Sequence, residues 1–117
     1  MLPLLLAYQP RLVEHLGRLA ALLREEDDHM EALAEAWVLE EAESSPPEGV
    51  TVSRASFLAL PPPMRRRVTR RLLARVKGDL RRIASGHIRS IDSLAQGDRP
   101  QGAVHLPRGM VARRVYD

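Results

Sequence analysis

The sequence predicts a mainly α fold, in which a long N-terminal helix leads into a small helical domain closed by a C-terminal β-hairpin. Three observations predict it. Apolar residues recur at alternating steps of four and three from Pro10 to about Glu43. Two shorter amphipathic runs, MRRRVTRRLLARVKG and SGHIRSIDSLAQG, each end on a glycine. The closing stretch GAVHLPRGMVARRVYD changes to a period of two on either side of PRG.

In the first element the recurring positions are Leu12, Leu16, Leu19, Leu23, Met30, Leu33 and Trp37, interrupted where the pattern reaches Glu26. Pro10 suits a first helical turn, and SSPP at Ser44 to Pro47 stops the run, so a continuous helix would span about 50 Å at 1.5 Å per residue. The acidic cluster Glu25 to Asp28 is the point where it would bend or split. We read the stripe as packing against other helices of the same fold, with a homodimer through the long helix as the alternative.

After a linker at residues 46–53, Ser53 is placed to cap a short helix over 54–60 that carries Phe57, Leu58 and Leu60. Pro61 to Pro63 force a turn, and a helix over 63–77 follows, with Met64, Val68, Leu72 and Val76 on its buried side and Gly78 as its stop. The next helix, 86–96, takes Ser85 as its N-cap and buries Ile88, Ile91 and Leu94 before Gly97. In the hairpin, over 103–115, Val104 and Leu106 alternate with an exposed His105, and Val111, Arg113 and Val115 alternate on the return. An isolated hairpin is marginal in water, so this one must lie on the helices or belong to something larger. The organisation expected is therefore a long-helix region at 1–45, the linker, and a basic helical domain at 54–117.

The chain has 117 residues, 44% of them hydrophobic, yet only one Phe, one Trp and two Tyr, so the core is small and aliphatic. With no cysteine there is no disulfide, no CxxC zinc site and no thiol nucleophile, which fits a reducing cytoplasm. MLPLLLAY is apolar for eight residues, lacks a basic flank and contains Pro3, so it reads as neither a membrane span nor a signal peptide.

The net charge of +3 hides a division. Residues 1–50 hold 3 Arg against 11 carboxylates, a net −8, while residues 51–117 hold 15 Lys and Arg against 4 Asp, a net +11. An excess of that size on a short segment points to a polyanion, most simply nucleic acid. The periodicity displays Arg66, Arg67, Arg70 and Arg71 together on adjoining exposed positions, and Arg108, Arg113 and Arg114 of the hairpin would extend the same basic surface. The plainer reading pairs these arginines with the acidic half.

Other constellations carry less. Glu25 to His29 are consecutive in a helix, so their side chains point around its circumference and form a solvated band rather than a cation site. His87, near a helix start, and the exposed His105 are weak candidates for base contact, and no Ser, His and Asp set has the context of a triad. Two further functions compete: a dimeric DNA-binding regulator, whose MRRRVTRRLLARV lacks the Asn, Gln and Ser mix that reads base edges, and a scaffold binding an acidic protein.

Taken in order, these pieces resemble a family. LPLLLAYQPRLVEHLGRLAALLREEDDHMEALA is similar to the connecting helix of bacterial tRNA(Ile)-lysidine synthetases, and FLALPPPMRRRVTRRLLARV, SGHIRSIDSLAQG and GAVHLPRGMVARRVYD resemble the two helices and hairpin that follow it. Gln9 stands where the family usually has Asn, and Arg108 where Gly is common. The resemblance implies an enzyme that adenylates the wobble cytidine of tRNA(Ile) bearing a CAU anticodon with ATP and magnesium, then lets free lysine displace AMP. That chemistry would belong to an N-terminal PP-loop catalytic domain with an SGGxDS phosphate loop. No SGGxDS occurs here, and SGH at Ser85 to His87 is read as a helix cap. The implied role is thus a non-catalytic, cytoplasmic tRNA-binding domain, cut from a longer polypeptide and holding no cofactor itself.

Overall fold

The computed structural model describes residues 10–45, 49–78, 80, 82–97 and 102–114, the side chains of Pro10, Ser45, Lys77 and Arg108 excepted. The chain divides into two compact units, Met1–Ala32 and Leu33–Asp117, so the division falls inside the first helix.

That helix, α1 (Pro10–Glu41), is continuous through the acidic cluster at Glu25 to Asp28. Its leucine stripe departs from the expected packing. Leu16, Leu19, Leu22 and Leu23 are 49, 51, 56 and 55% exposed. In the last turns, which belong to the second unit, Ala34 and Val38 are buried while Leu33 is exposed and Trp37 half-buried. Alanine and valine allow a closer approach of neighbouring backbone than leucine does, a preference that periodicity alone does not show.

The stretch read as a linker is partly paired. Strands β1 (Glu43–Ser45) and β2 (Gly49–Thr51) form a short antiparallel ladder with Ser44 opposite Val50. Ser53 then caps α2 (Arg54–Leu58), its Oγ accepting from the Ser56 N–H at 3.3 Å, and Phe57 is buried.

Helix α3 (Pro62–Lys77) starts on prolines that need no N–H partner and ends on Gly78, whose φ of 74° is the left-handed conformation that costs glycine least. Met64 and Val68 are buried as expected, but Leu72 and Val76 are only half-buried, and Thr69 and Leu73 lie deeper. Val68 and Thr69 are adjacent residues about 100° apart around the axis, so α3 is covered over two adjoining sides rather than one stripe. Thr69 tolerates its burial because its Oγ1 donates to the Arg65 carbonyl at 2.8 Å.

In helix α4 (Ser85–Gln96), Ile88 is buried. Ser85 is its first residue rather than its cap: Ala84 occupies the cap position, and its N–H donates to Nδ1 of His87 at 2.9 Å. The hairpin follows, with β3 (Gly102–His105) antiparallel to β4 (Val111–Arg114). A 3-10 turn at Pro107–Gly109 joins them, Gly109 has φ 77°, and the Leu106 N–H donates to the Met110 carbonyl at 2.9 Å.

Both hairpin strands pack on α4. Leu106 and Met110 form a core with Leu73 of α3 and Ile88 of α4, and Val76, Leu80, Ile83, Ile91, Val104 and Ala112 pack around it. The inward residue of β4 is therefore Ala112, not Val111, which is exposed beside His105 on the outer face. Val115, the third residue of the expected alternation, lies outside the described residues. Among the described residues no helix is long and apolar enough to cross a membrane.

Candidate nucleic-acid interface

Residues Arg65, Arg66 and Arg67 are successive, so the helix fans them about 100° apart and gives each a different environment. Arg65 turns toward α4. Its Nε donates to Asp92 Oδ1 at 2.6 Å and its Nη1 to the Leu60 carbonyl at 2.9 Å, with the Arg65 and Asp92 side chains only 12 and 24% exposed. Gln96 also donates to Asp92. Among the described residues after Thr51, Asp92 is the only carboxylate, and these bonds occupy it.

The candidate arginines separate into three groups. Arg66 and Arg70 are exposed, one helical turn apart on the same arc of α3, and make no hydrogen bond or ion pair among the described residues. Arg113 is likewise exposed, on the outer face of β4 opposite Ala103. Arg71, by contrast, is in an ion pair with Glu35 of α1, and Arg67 is half-buried and already engaged within the fold. Arg114 faces inward and donates from Nη1 to the Gly97 carbonyl, tying the hairpin to the end of α4. The Arg108 side chain lies outside the described residues.

Three exposed arginines escaped the sequence reading: Arg75 on α3, Arg82 before α4 and Arg89 on it. Arg89 was legible in principle, because it directly follows the buried Ile88 and shares its outward arc with Ser85 and Ser93. Planar guanidinium groups match phosphate oxygens two at a time, so exposed arginines without a neighbouring acid suit an extended polyanion. The remaining chemistry is sparse. His87 is committed to its capping bond, His105 is exposed, and among the described residues no group of three His, Asp or Glu could hold a metal ion.

Known proteins resemble this chain closely. The tRNA(Ile)-lysidine synthase of Geobacillus kaustophilus (strain HTA426) is 34% identical over 116 residues, 98% of this chain and 25% of that protein. That of Geobacter sulfurreducens is 30% identical over 117 residues, 100% of this chain and 25% of that protein. That of Streptomyces coelicolor is 35% identical over 103 residues, 87% of this chain and 28% of that protein. The chain thus spans about a quarter of the length of the curated relatives it matches. A family model described as the TilS substrate binding domain matches residues 53–117, the segment that holds α2, α3, α4, the hairpin and every exposed arginine discussed above, and the chain belongs to that family.

Proposed function

We propose that this chain is the non-catalytic, tRNA-binding domain of a tRNA(Ile)-lysidine synthase, and that it grips tRNA by its phosphate backbone and shape. One observation carries the reading: Arg66 and Arg70 stand exposed one turn apart on α3, without an acid partner among the described residues, inside the segment that matches the substrate-binding family. Arg113 on the hairpin is the third contact we assign, and Arg75, Arg82 and Arg89 widen the positive field. Arg71 is assigned to the fold through Glu35. The division into a long-helix region and a basic domain from residue 54 belongs to the same proposal.

In this reading the anticodon chemistry, with ATP, magnesium and lysine, is performed by a PP-loop catalytic portion, whose SGGxDS loop these 117 residues do not contain. Its work on tRNA would place it in the cytoplasm.

The test compares two variants of the chain in tRNA binding across a salt series. Each phosphate contact on a duplex adds roughly 0.9 to the slope of log affinity against log salt. Arg66→Ala with Arg70→Ala therefore lowers that slope by about two and weakens different tRNAs alike, whereas Arg71→Ala leaves it near wild type. A folded double variant with unchanged affinity and slope removes this surface from the function.

A further inference from the structure

Two hydroxyls follow runs of arginine, and the fold treats them oppositely. Thr69 comes after Arg65, Arg66 and Arg67, and Ser85 after Arg81 and Arg82 in RRIAS. Arginines a few residues ahead of a hydroxyl are what arginine-directed protein kinases read, since guanidinium groups pair with carboxylates beside the kinase active site. Thr69 has the denser run, but it is 3% exposed and its Oγ1 donates to the Arg65 carbonyl, which closes it to an enzyme. Ser85 is exposed, and its hydroxyl makes no hydrogen bond among the described residues.

We propose that Ser85 is a phosphorylation site, and that its phosphate withdraws Arg82 and Arg89 from the basic surface. The γ-phosphoryl group of ATP passes to Oγ of Ser85. The new bond forms between Oγ and phosphorus, the bond from that phosphorus to the bridging oxygen breaks, ADP leaves, and the hydroxyl proton goes to the base of the kinase. Ser85 opens α4 after Ala84, which has no side-chain oxygen for the first N–H groups of the helix. A phosphate on Ser85 meets those groups and the positive end of the helix dipole. Arg89 is its neighbour one turn on, and Arg82 stands three residues before it. Both arginines are exposed, and neither has a hydrogen bond or ion pair among the described residues. The phosphate brings about two negative charges against these two positive ones. Its consequence for tRNA rests on the function proposed above, whereas the modification itself does not.

The folded chain, incubated with ATP and an arginine-directed serine/threonine kinase, gains one phosphate, which peptide mass spectrometry places on Ser85 and which Ser85→Ala abolishes. In the phosphorylated chain, hydrogen exchange at the Gly86 and His87 amides slows about fivefold, the effect of an anion at a helix start. Heparin, a plain polyanion, releases it at lower salt than the unmodified chain. Its tRNA affinity falls, and the slope of log affinity against log salt drops by about two, one for each arginine the phosphate neutralises. No phosphate gained, phosphate on Thr69, uptake that persists in Ser85→Ala, unchanged exchange, or unchanged release from heparin each overturns the proposal. So does a phosphorylated chain that binds tRNA as the unmodified chain does. An unmodified chain that heparin retains but tRNA does not bind overturns the function proposed above instead, and release from heparin then decides the role of the phosphate.

Discussion

Consecutive arginines on α3 show how little residue type alone decides. Arg65 is half-buried against Asp92, Arg66 is open to solvent, and Arg71 is shared with Glu35. Arg65→Ala removes hydrogen bonds to a charged, partly buried group and should cost about 2 kcal/mol, measured by urea unfolding followed through Trp37. The Arg71–Glu35 pair has side chains 32 and 43% exposed, and solvent screening reduces it. Arg71→Ala should cost only about 0.5 to 1 kcal/mol in the same measurement, and a loss as large as that of Arg65→Ala would show that the pair does more than its exposure allows. The exposed position of Arg66 and Arg70 was legible from the spacing of Met64 and Val68. The engagement of Arg71 was not, because its partner lies 36 residues away on another helix.

Element ends here are held by local chemistry that the sequence shows only in part. Ser53 capping α2 and Gly78 ending α3 follow directly from residue preferences. The start of α4 does not, since the obvious candidate, Ser85, leaves the bond to His87. Replacing His87 by Ala should destabilise the domain by about 1 kcal/mol, as the loss of a helix cap does elsewhere, and should speed hydrogen exchange at the first turn of α4; unchanged exchange there would refute the role. At the tip of the hairpin, Gly109 has φ 77° with open space around its missing side chain, so Gly109→Ala meets no clash and only a backbone penalty. That penalty is about 1 to 2 kcal/mol, read as a lowered unfolding midpoint. An unchanged midpoint would mean that the turn relaxes to another conformation.

Across the whole molecule, charge separates along the chain as composition requires: the acidic residues gather on α1 and the basic ones on α3, α4 and the hairpin. The separation leaves more arginines than local acids can neutralise, and that surplus is what a polyanion would meet. If the chain is the tRNA-binding domain proposed above, then incubated with ATP, lysine and tRNA it should release no AMP and form no lysidine. Turnover above a buffer control that survives stringent purification would overturn that proposal.

By itself the sequence determined the helical class, the closing hairpin and the basic half, because periodicity, caps and charge are local properties that survive without knowledge of neighbours, and the resemblance of its segments to known ones pointed to the family. Tertiary structure alone decided which apolar residues are covered. In the last turns of α1, Ala34 and Val38 are buried while Leu33 and Leu39 stay exposed, and the period-two pattern of the hairpin admits both Val111 and Ala112 until the packing on α4 selects Ala112. It also decided which arginines stay available, since pairing depends on where distant acids fold: Glu35 reaches Arg71 and Asp92 reaches Arg65, leaving Arg66 and Arg70 to the solvent.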